Sequence, residues 1–301
     1  MVEGVMFGGK YHYVTAIRRK DQSVEYFHVP RKTHPFVASL KKIPFVRGIA
    51  AIIEASANGS KHLNFSTERF DIDPKDDAMI EEQETSRLAM YLGVAAVGVI
   101  SFLFGKFLFT LIPAFLAHLT IDIFPGRTVQ VLIEGLIKLI LLLAYIYIVS
   151  LTPIVKRVFQ YHGAEHKVIN CFESGDELTV ENVQKSSRLH YRCGSSFILF
   201  TVIVGVFVYL LFPIDSLWLR LLSRVALIPV VLGISFEVLQ LTNKLRDVPV
   251  LRWLGLPGLW LQLLTTKEPD NSQAEIAILS FKELLKMEKN SEEQTDSEEI
   301  V

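Results

Sequence analysis

VQVLIEGLIKLILLLAYIYIVSL, residues 129–151, decides how this chain is read. A helix crosses the ~30 Å hydrocarbon core of a bilayer with about 20 mostly apolar residues. This run has that length, with Glu134 and Lys138 as its only charged side chains. Similar runs stand on either side. One begins near Leu88 and is expected to span 88–112, with Pro113 breaking the helix beyond it. Another covers Ser196–Phe212, and the last covers Leu217–Leu241. Four such runs in succession point to a membrane protein rather than to buried helices of a soluble core. Half of all residues are hydrophobic, and they gather between Leu88 and Leu241, while both ends have soluble composition.

Basic residues set the expected orientation. Lys10, Arg18, Arg19, Arg31, Lys41 and Arg47 precede the first run. Lys156, Arg157, Lys167, Lys185, Arg188 and Arg192 fill the link between the second and third, and Lys244, Arg246 and Arg252 come after the fourth. The first-to-second link offers only Arg127, and Phe212–Ser216 has no basic residue. Lys and Arg accumulate on the cytoplasmic side. Both termini and the middle link are therefore expected in the cytoplasm of a cell-membrane protein. A second crossing by Phe107–Ile121 would invert everything downstream, and the basic count argues against it. Cys171 and Cys193 are too few for a secreted disulfide framework and suit a reducing compartment. Met1–Ile17 lacks the basic-then-apolar pattern of a signal peptide. A net charge of −1 gives no global basic field, so nucleic acid is not an expected partner.

The expected fold class is mainly α: a multi-pass membrane protein with about four transmembrane helices and a small N-terminal cytoplasmic β-hairpin/helix region. Lys10–Arg19 and Ser23–Pro30 form the hairpin, and an amphipathic helix starts near Val46. That helix is expected to pack on the hairpin rather than lie on the membrane surface. The chain then divides into a cytoplasmic α/β region at 1–86 and a four-span domain at 87–242 with a cytoplasmic link at 152–195. An interfacial cytoplasmic tail comes next at 243–289, with an amphipathic helix over Glu268–Leu285, and then a disordered acidic tail at 290–301.

The chemistry concentrates in YHGAEHKVINCFESGDEL, which begins at Tyr161. If the helix of the second span continues past Pro153, His162 and His166 lie one turn apart on one face. Two imidazoles so placed can share a divalent metal, and Glu165 beside them can take a proton from water or act as a ligand. This is the H-x-x-E-H order of the inverted zinc peptidases. Zinc wants three protein ligands at a catalytic site and four at a structural one. His190 and Cys193, in LHYRCGS just before the third run, are the nearest suppliers. The expected metal set is thus His162, His166, His190 and Cys193, with Glu165 as the catalytic residue and a divalent ion such as zinc as the metal; the alternative is that these histidines are interfacial or pair with Glu165 and Glu173. Cys171 is expected to be a packed small residue. Arg192 is a candidate to hold an acidic group of substrate, lipid or protein. Glu134/Lys138 and Arg220/Arg224, each spaced i,i+4 near span ends, are expected to pair or snorkel rather than line a transport path.

Five segments now occur in one order: EGVMFGGKYHYVTAIR, PFVRGI, YHGAEHKVINCFE, HYRCGSSF and PGLWLQLLTTKEPDNSQAEIAI. Together they resemble the bacterial DUF1385 membrane proteins over nearly the whole chain. The resemblance implies a metal-dependent enzyme and points to His162, Glu165, His166, His190 and Cys193, which match its motifs. The start departs from the pattern: Phe7-Gly8 stands where the family has Met-Arg, and no Gly-rich sequence precedes Glu3. A missing first segment or a misassigned start would produce that departure. The expected function is a metal-dependent membrane enzyme, hydrolytic in type, with its site at the cytoplasmic face. Its partner would be the lipid bilayer. The alternative is a non-enzymatic regulatory protein that binds another membrane protein, with a structural metal site or none.

Overall fold

The computed structural model describes residues 1–31, 35–77, 104–105, 108–109, 112–191, 193–212, 214, 216–246 and 248–299. The expected first span, 88–112, lies almost entirely outside the described residues, as does Arg192. The described chain is mainly helical with a small N-terminal sheet.

The sheet has three antiparallel strands in the order β1 (Gly4–Gly8), β2 (His12–Arg18), β3 (Val24–Pro30). The hairpin expected from sequence is β2–β3, paired from His12↔Pro30 to Arg18↔Val24. β1 adds a third strand, with Gly4 opposite Ile17 and Gly8 opposite Tyr13. Val5, Phe7, Val14 and Ala16 bury against the C-terminal helix and α5, named below.

The helices are, in chain order, α1 (Pro35–Leu40), α2 (Val46–Arg69), α3 (Ile112–His118), α4 (Arg127–Ser150), α5 (Pro153–Glu173), α6 (Val180–Lys185), α7 (Ser195–Leu210), α8 (Leu217–Ala226), α9 (Ile228–Lys244), α10 (Leu256–Thr265) and α11 (Asn271–Glu299). They form two cores. In the first, α5, α6 and α11 pack on the sheet through Tyr161, Ala164, Val168, Val183, Ile276 and Ala277. In the second, α4, α7, α9 and α10 pack through Leu142, Ile146, Leu199, Leu261, Val204 and Val231. α2 bridges the two. Its His62 and Phe65 bury beside the sheet, with Phe27 stacked on Phe65 at 4.7 Å, while Arg47 near its start ion-pairs Glu237 of α9.

Proline sets the helix breaks. α4 ends at Leu151, and Pro153 opens α5, where its missing N–H has no partner to lose. The chain across Pro153 is therefore two helices, and His162 and His166 both lie on the second. The apolar run at 217–241 is likewise two, α8 and α9, bent by 49° around Leu227. Pro229 in the first turn of α9 would clash with the carbonyl four residues back if one helix ran through. Among the described residues α4 alone is by itself long and apolar enough to cross a membrane; α8 with α9 passes only as one bent unit, and α7 is apolar but 16 residues long. Inside this second core Arg224 of α8 grips Glu134 of α4 through two hydrogen bonds of 3.0 Å, both residues buried. The Arg224 guanidinium also lies 3.9 Å from the centre of the Tyr209 ring.

α11 docks the end of the chain on its beginning. The Glu288 carboxylate accepts from the backbone N–H groups of Lys10 (2.7 Å), Tyr11 (3.0 Å) and His12 (2.9 Å) at the β1–β2 turn. Where a disordered acidic tail is expected from 290, α11 continues as helix to Glu299. Glu, Gln and Lys are good helix formers, and Lys289 reaches Glu293 one turn on.

Candidate functional site

The two cores meet at α5. Its side chains organise the link 184–190 by taking that link's backbone carbonyls. Lys167 Nζ donates to Gln184 O (2.8 Å) and Ser186 O (2.9 Å), and Asn170 Nδ2 donates to Ser187 O (2.7 Å) and Leu189 O (3.0 Å). Arg188 then ties the link to the end of α10 by donating to Thr266 O at 2.7 Å. Gln262 of α10 closes the frame: its side chain accepts from His190 N–H and donates to His190 O, each at 2.8 Å.

This frame aims two imidazoles. His162 Nδ1 lies 2.8 Å from Thr265 O, and His166 Nδ1 lies 2.7 Å from Arg188 O. A carbonyl only accepts, so each Nδ1 carries its proton and each Nε2 is left for other work. The two rings sit edge to face, 4.5 Å apart. Cys193 at the foot of α7 places Sγ 3.2 Å from His162 Nε2 and 3.0 Å from Ser195 Oγ. One ligand atom from each of His162, His166 and Cys193 falls within 4.8 Å of the others. Imidazoles anchored through Nδ1–H to a carbonyl, with a thiol between them, are the arrangement in which protein ligands meet a zinc-like ion.

Of the four ligands expected from sequence, the structure brings three together. His190 stands apart from that set: its ring centre is 5.9 Å from that of His166, and its Nε2 is 3.5 Å from a Glu173 oxygen. Glu165 is outside the set as well, yet it lines the same cavity of about 360 Å³ with His162, His166, His190 and Cys193. Cys171 is buried in the first core, as its reading as a packed residue requires. Three participants have no sequence signal as such: the Thr265 and Arg188 carbonyls, which any residue would offer, and Gly163. The space beside Gly163 is filled by the Lys267 backbone, whose N–H also bonds Phe159 O at 2.8 Å. This close approach is what brings the Thr265 carbonyl to His162.

Charge is set by the geometry. Burial alone pushes the Cys193 thiol up, but hydrogen bonds and charge from His162 and His166 outweigh it and bring the thiol down to about 5. Burial alone lowers His162, and Cys193 with Glu165 reverses that, lifting it to about 9. Burial also raises the Glu165 carboxyl. Both directions favour a thiolate on Cys193 beside an imidazolium on His162. A depressed thiol gives stability present above its ordinary value and lost as pH falls through about 5. A raised histidine gives stability present below its ordinary value and lost as pH rises through about 9. In chelator, the melting temperature of wild type should therefore exceed that of Cys193→Ser most near pH 7, with the gap closing towards both extremes. A gap that does not vary with pH would contradict the ion pair.

The comparisons with known proteins agree with one another. A family model described as "Protein of unknown function (DUF1385)" matches residues 43–287. The chain is 68% identical over 295 residues to "Uncharacterized protein YqhQ" of Bacillus subtilis, covering 97% of this chain and 93% of that relative. No solved structure matches.

Proposed function

The chain belongs to the DUF1385 family, and from that premise we propose that it is a multi-pass membrane protein with a metal-dependent, hydrolytic site at its cytoplasmic face. The observation that carries the enzymatic reading is the ligand count. His162, His166 and Cys193 converge, and the cavity beside them stays open. Three ligands beside an open position are what a catalytic site needs, whereas a structural site is closed by a fourth.

In this reading His162 and His166, through Nε2, and Cys193, through Sγ, hold a zinc-like divalent ion. Such an ion supplies a Lewis acid and acidifies water. Cys193 and His162 would give up the proton they share on holding such an ion, so binding would depend on pH. The chain's own residues do the rest. Thr265 and Arg188 hold the imidazoles in one tautomer. Glu165, raised by burial and facing the same cavity, takes up and returns a proton. Ile169 walls the cavity with apolar surface.

The membrane reading is supported by where the apolar surface lies. Leu132, Leu136, Ile140 and Ile148 on α4 are all at least half exposed. So are Phe207, Trp218, Leu222 and Trp260 on the neighbouring helices. Contiguous apolar surface on that scale needs a lipid or protein cover. With four spans and the basic link inside, the site opens towards the inner leaflet, and the substrate is a lipid headgroup, a peptide or a small molecule there.

Metal content tests the proposal. Protein purified in detergent without chelator should carry a near-stoichiometric transition metal by plasma emission spectroscopy, and His162→Ala/His166→Ala should carry none. Well-folded wild type that takes up neither zinc nor manganese would end the metal reading. That result would favour a second one, drawn from the 3.2 Å contact of Cys193 with His162: a thiolate nucleophile activated by imidazolium.

A further inference from the structure

At the opposite end of the second core from Cys193 lies a different kind of site. α7 begins beside Cys193 and ends at Leu210, so the two places are on the order of 25 Å apart at 1.5 Å per residue. Here the start of α4, the end of α7 and α8 enclose a cavity of about 30 Å³ whose lining includes Arg127, Thr128, Arg220 and Arg224. No acidic residue lines it among the described residues. That volume holds about two water-sized spheres. It suits one tetrahedral group and is too small for a drug-sized ligand.

Arg220 is the telling residue. It is 7% exposed, and its one side-chain hydrogen bond among the described residues is a long one, Nε to Ile214 O at 3.5 Å. Arg224, also in the wall, is committed to Glu134. The Arg220 charge has no such carboxylate among the described residues. A buried guanidinium without a counter-charge is costly, and an arginine fork matches phosphate oxygens well. A second observation points the same way. α4 starts here, and its Gly126 cap offers no side-chain acceptor to the first-turn N–H groups. A 24-residue helix presents those groups and its positive dipole end to an anion.

We propose that this pocket is an anion site that takes one phosphate-type oxyanion, with the Arg220 guanidinium and the N-terminal turn of α4 as its donors. The oxyanion is either the phosphate of an anionic phospholipid or a free ion of the same chemistry. The site stands independently of the metal reading, since it shares no residue with it.

The test uses the full chain, delipidated in detergent, in wild-type and Arg220→Met forms. Inorganic phosphate, against chloride at matched ionic strength, should raise the wild-type melting temperature by about 4 °C or more at saturation and leave the variant unmoved. Without phosphate the variant should melt no lower than wild type, because a buried charge that has no carboxylate partner among the described residues has been removed. Native mass spectrometry of protein purified without delipidation separates the sources. One phosphatidylglycerol retained by wild type and lost from the variant identifies the lipid, and a phosphate shift with no retained lipid identifies the free ion. Wild type that neither shifts nor retains lipid overturns the proposal. So does a variant that melts well below wild type in the absence of phosphate, since Arg220 is then only a structural contact.

Discussion

Gly163→Ala is expected to destabilise the protein by about 3 kcal/mol, the upper end of what overpacking costs, and to weaken metal binding at the proposed site. A methyl group at 163 would overlap the Lys267 carbonyl oxygen and lie 3.2 Å from its carbon. Both are backbone atoms, so no rotamer change relieves the clash. Lys267 cannot simply slide, because its N–H is held by Phe159 O on the same helix as Gly163. Relief requires the stretch 265–267 to lift away from α5, and that breaks the 2.8 Å contact between Thr265 O and His162 Nδ1. The imidazole then loses the bond that fixes its tautomer, and loss of such an outer partner alone typically costs about 10- to 100-fold in metal affinity. Gly59→Ala is the control. Nothing lies within 4 Å of its Cβ position, and it sits inside α2, so alanine should stabilise by up to about 1 kcal/mol. Metal content and denaturant unfolding read both variants. A Gly163→Ala protein with full metal and unchanged stability would refute the account of how the site is held.

The second large effect is at Glu134. Replacing it with Gln leaves the Arg224 guanidinium, 2% exposed, without its counter-ion in an apolar bundle. Breaking one side of such a pair costs about 3–5 kcal/mol. The double variant Glu134→Leu/Arg224→Leu should recover most of that loss, since apolar replacement of a buried pair is often neutral or stabilising. A double-mutant cycle in detergent measures the coupling. If Glu134→Gln unfolds at the same denaturant concentration as wild type, the pair does not hold α4 to α8. Glu181→Gln, which breaks an exposed i,i+4 pair with Lys185, should have no measurable effect.

Local pattern makes much of this legible in the sequence. The α4 run, the β2–β3 hairpin and the one-turn spacing of His162 and His166 are periodic features, and periodicity survives folding. Cys193 is reachable because it stands next to the start of an apolar helix. His190, three residues earlier, groups with it by proximity, but the link between α6 and α7 is irregular there and turns the ring towards Glu173. β1 carries no comparable mark because Gly4–Gly8 is short and glycine-ended; it is a strand only because β2 offers an edge. The bend at Leu227 is hidden inside a long, mostly apolar run, where hydropathy outweighs Pro229. The pairing of Glu134 with Arg224 joins residues 90 positions apart, and no spacing rule links them.

The grip of Glu288 on the turn at Lys10–His12 has a consequence for how the protein is made. Strands β1–β3 are translated before α11, the helix that covers them, with α1 to α10 in between. Domains otherwise tend to fold from the N-terminus as they emerge. Here the sheet must wait, with Phe7 and Val14 uncovered, while every apolar helix between is produced. The buried face of the sheet is therefore a timer: only a chain translated through α11 can close it, and a nascent chain stalled in its apolar middle still presents that face.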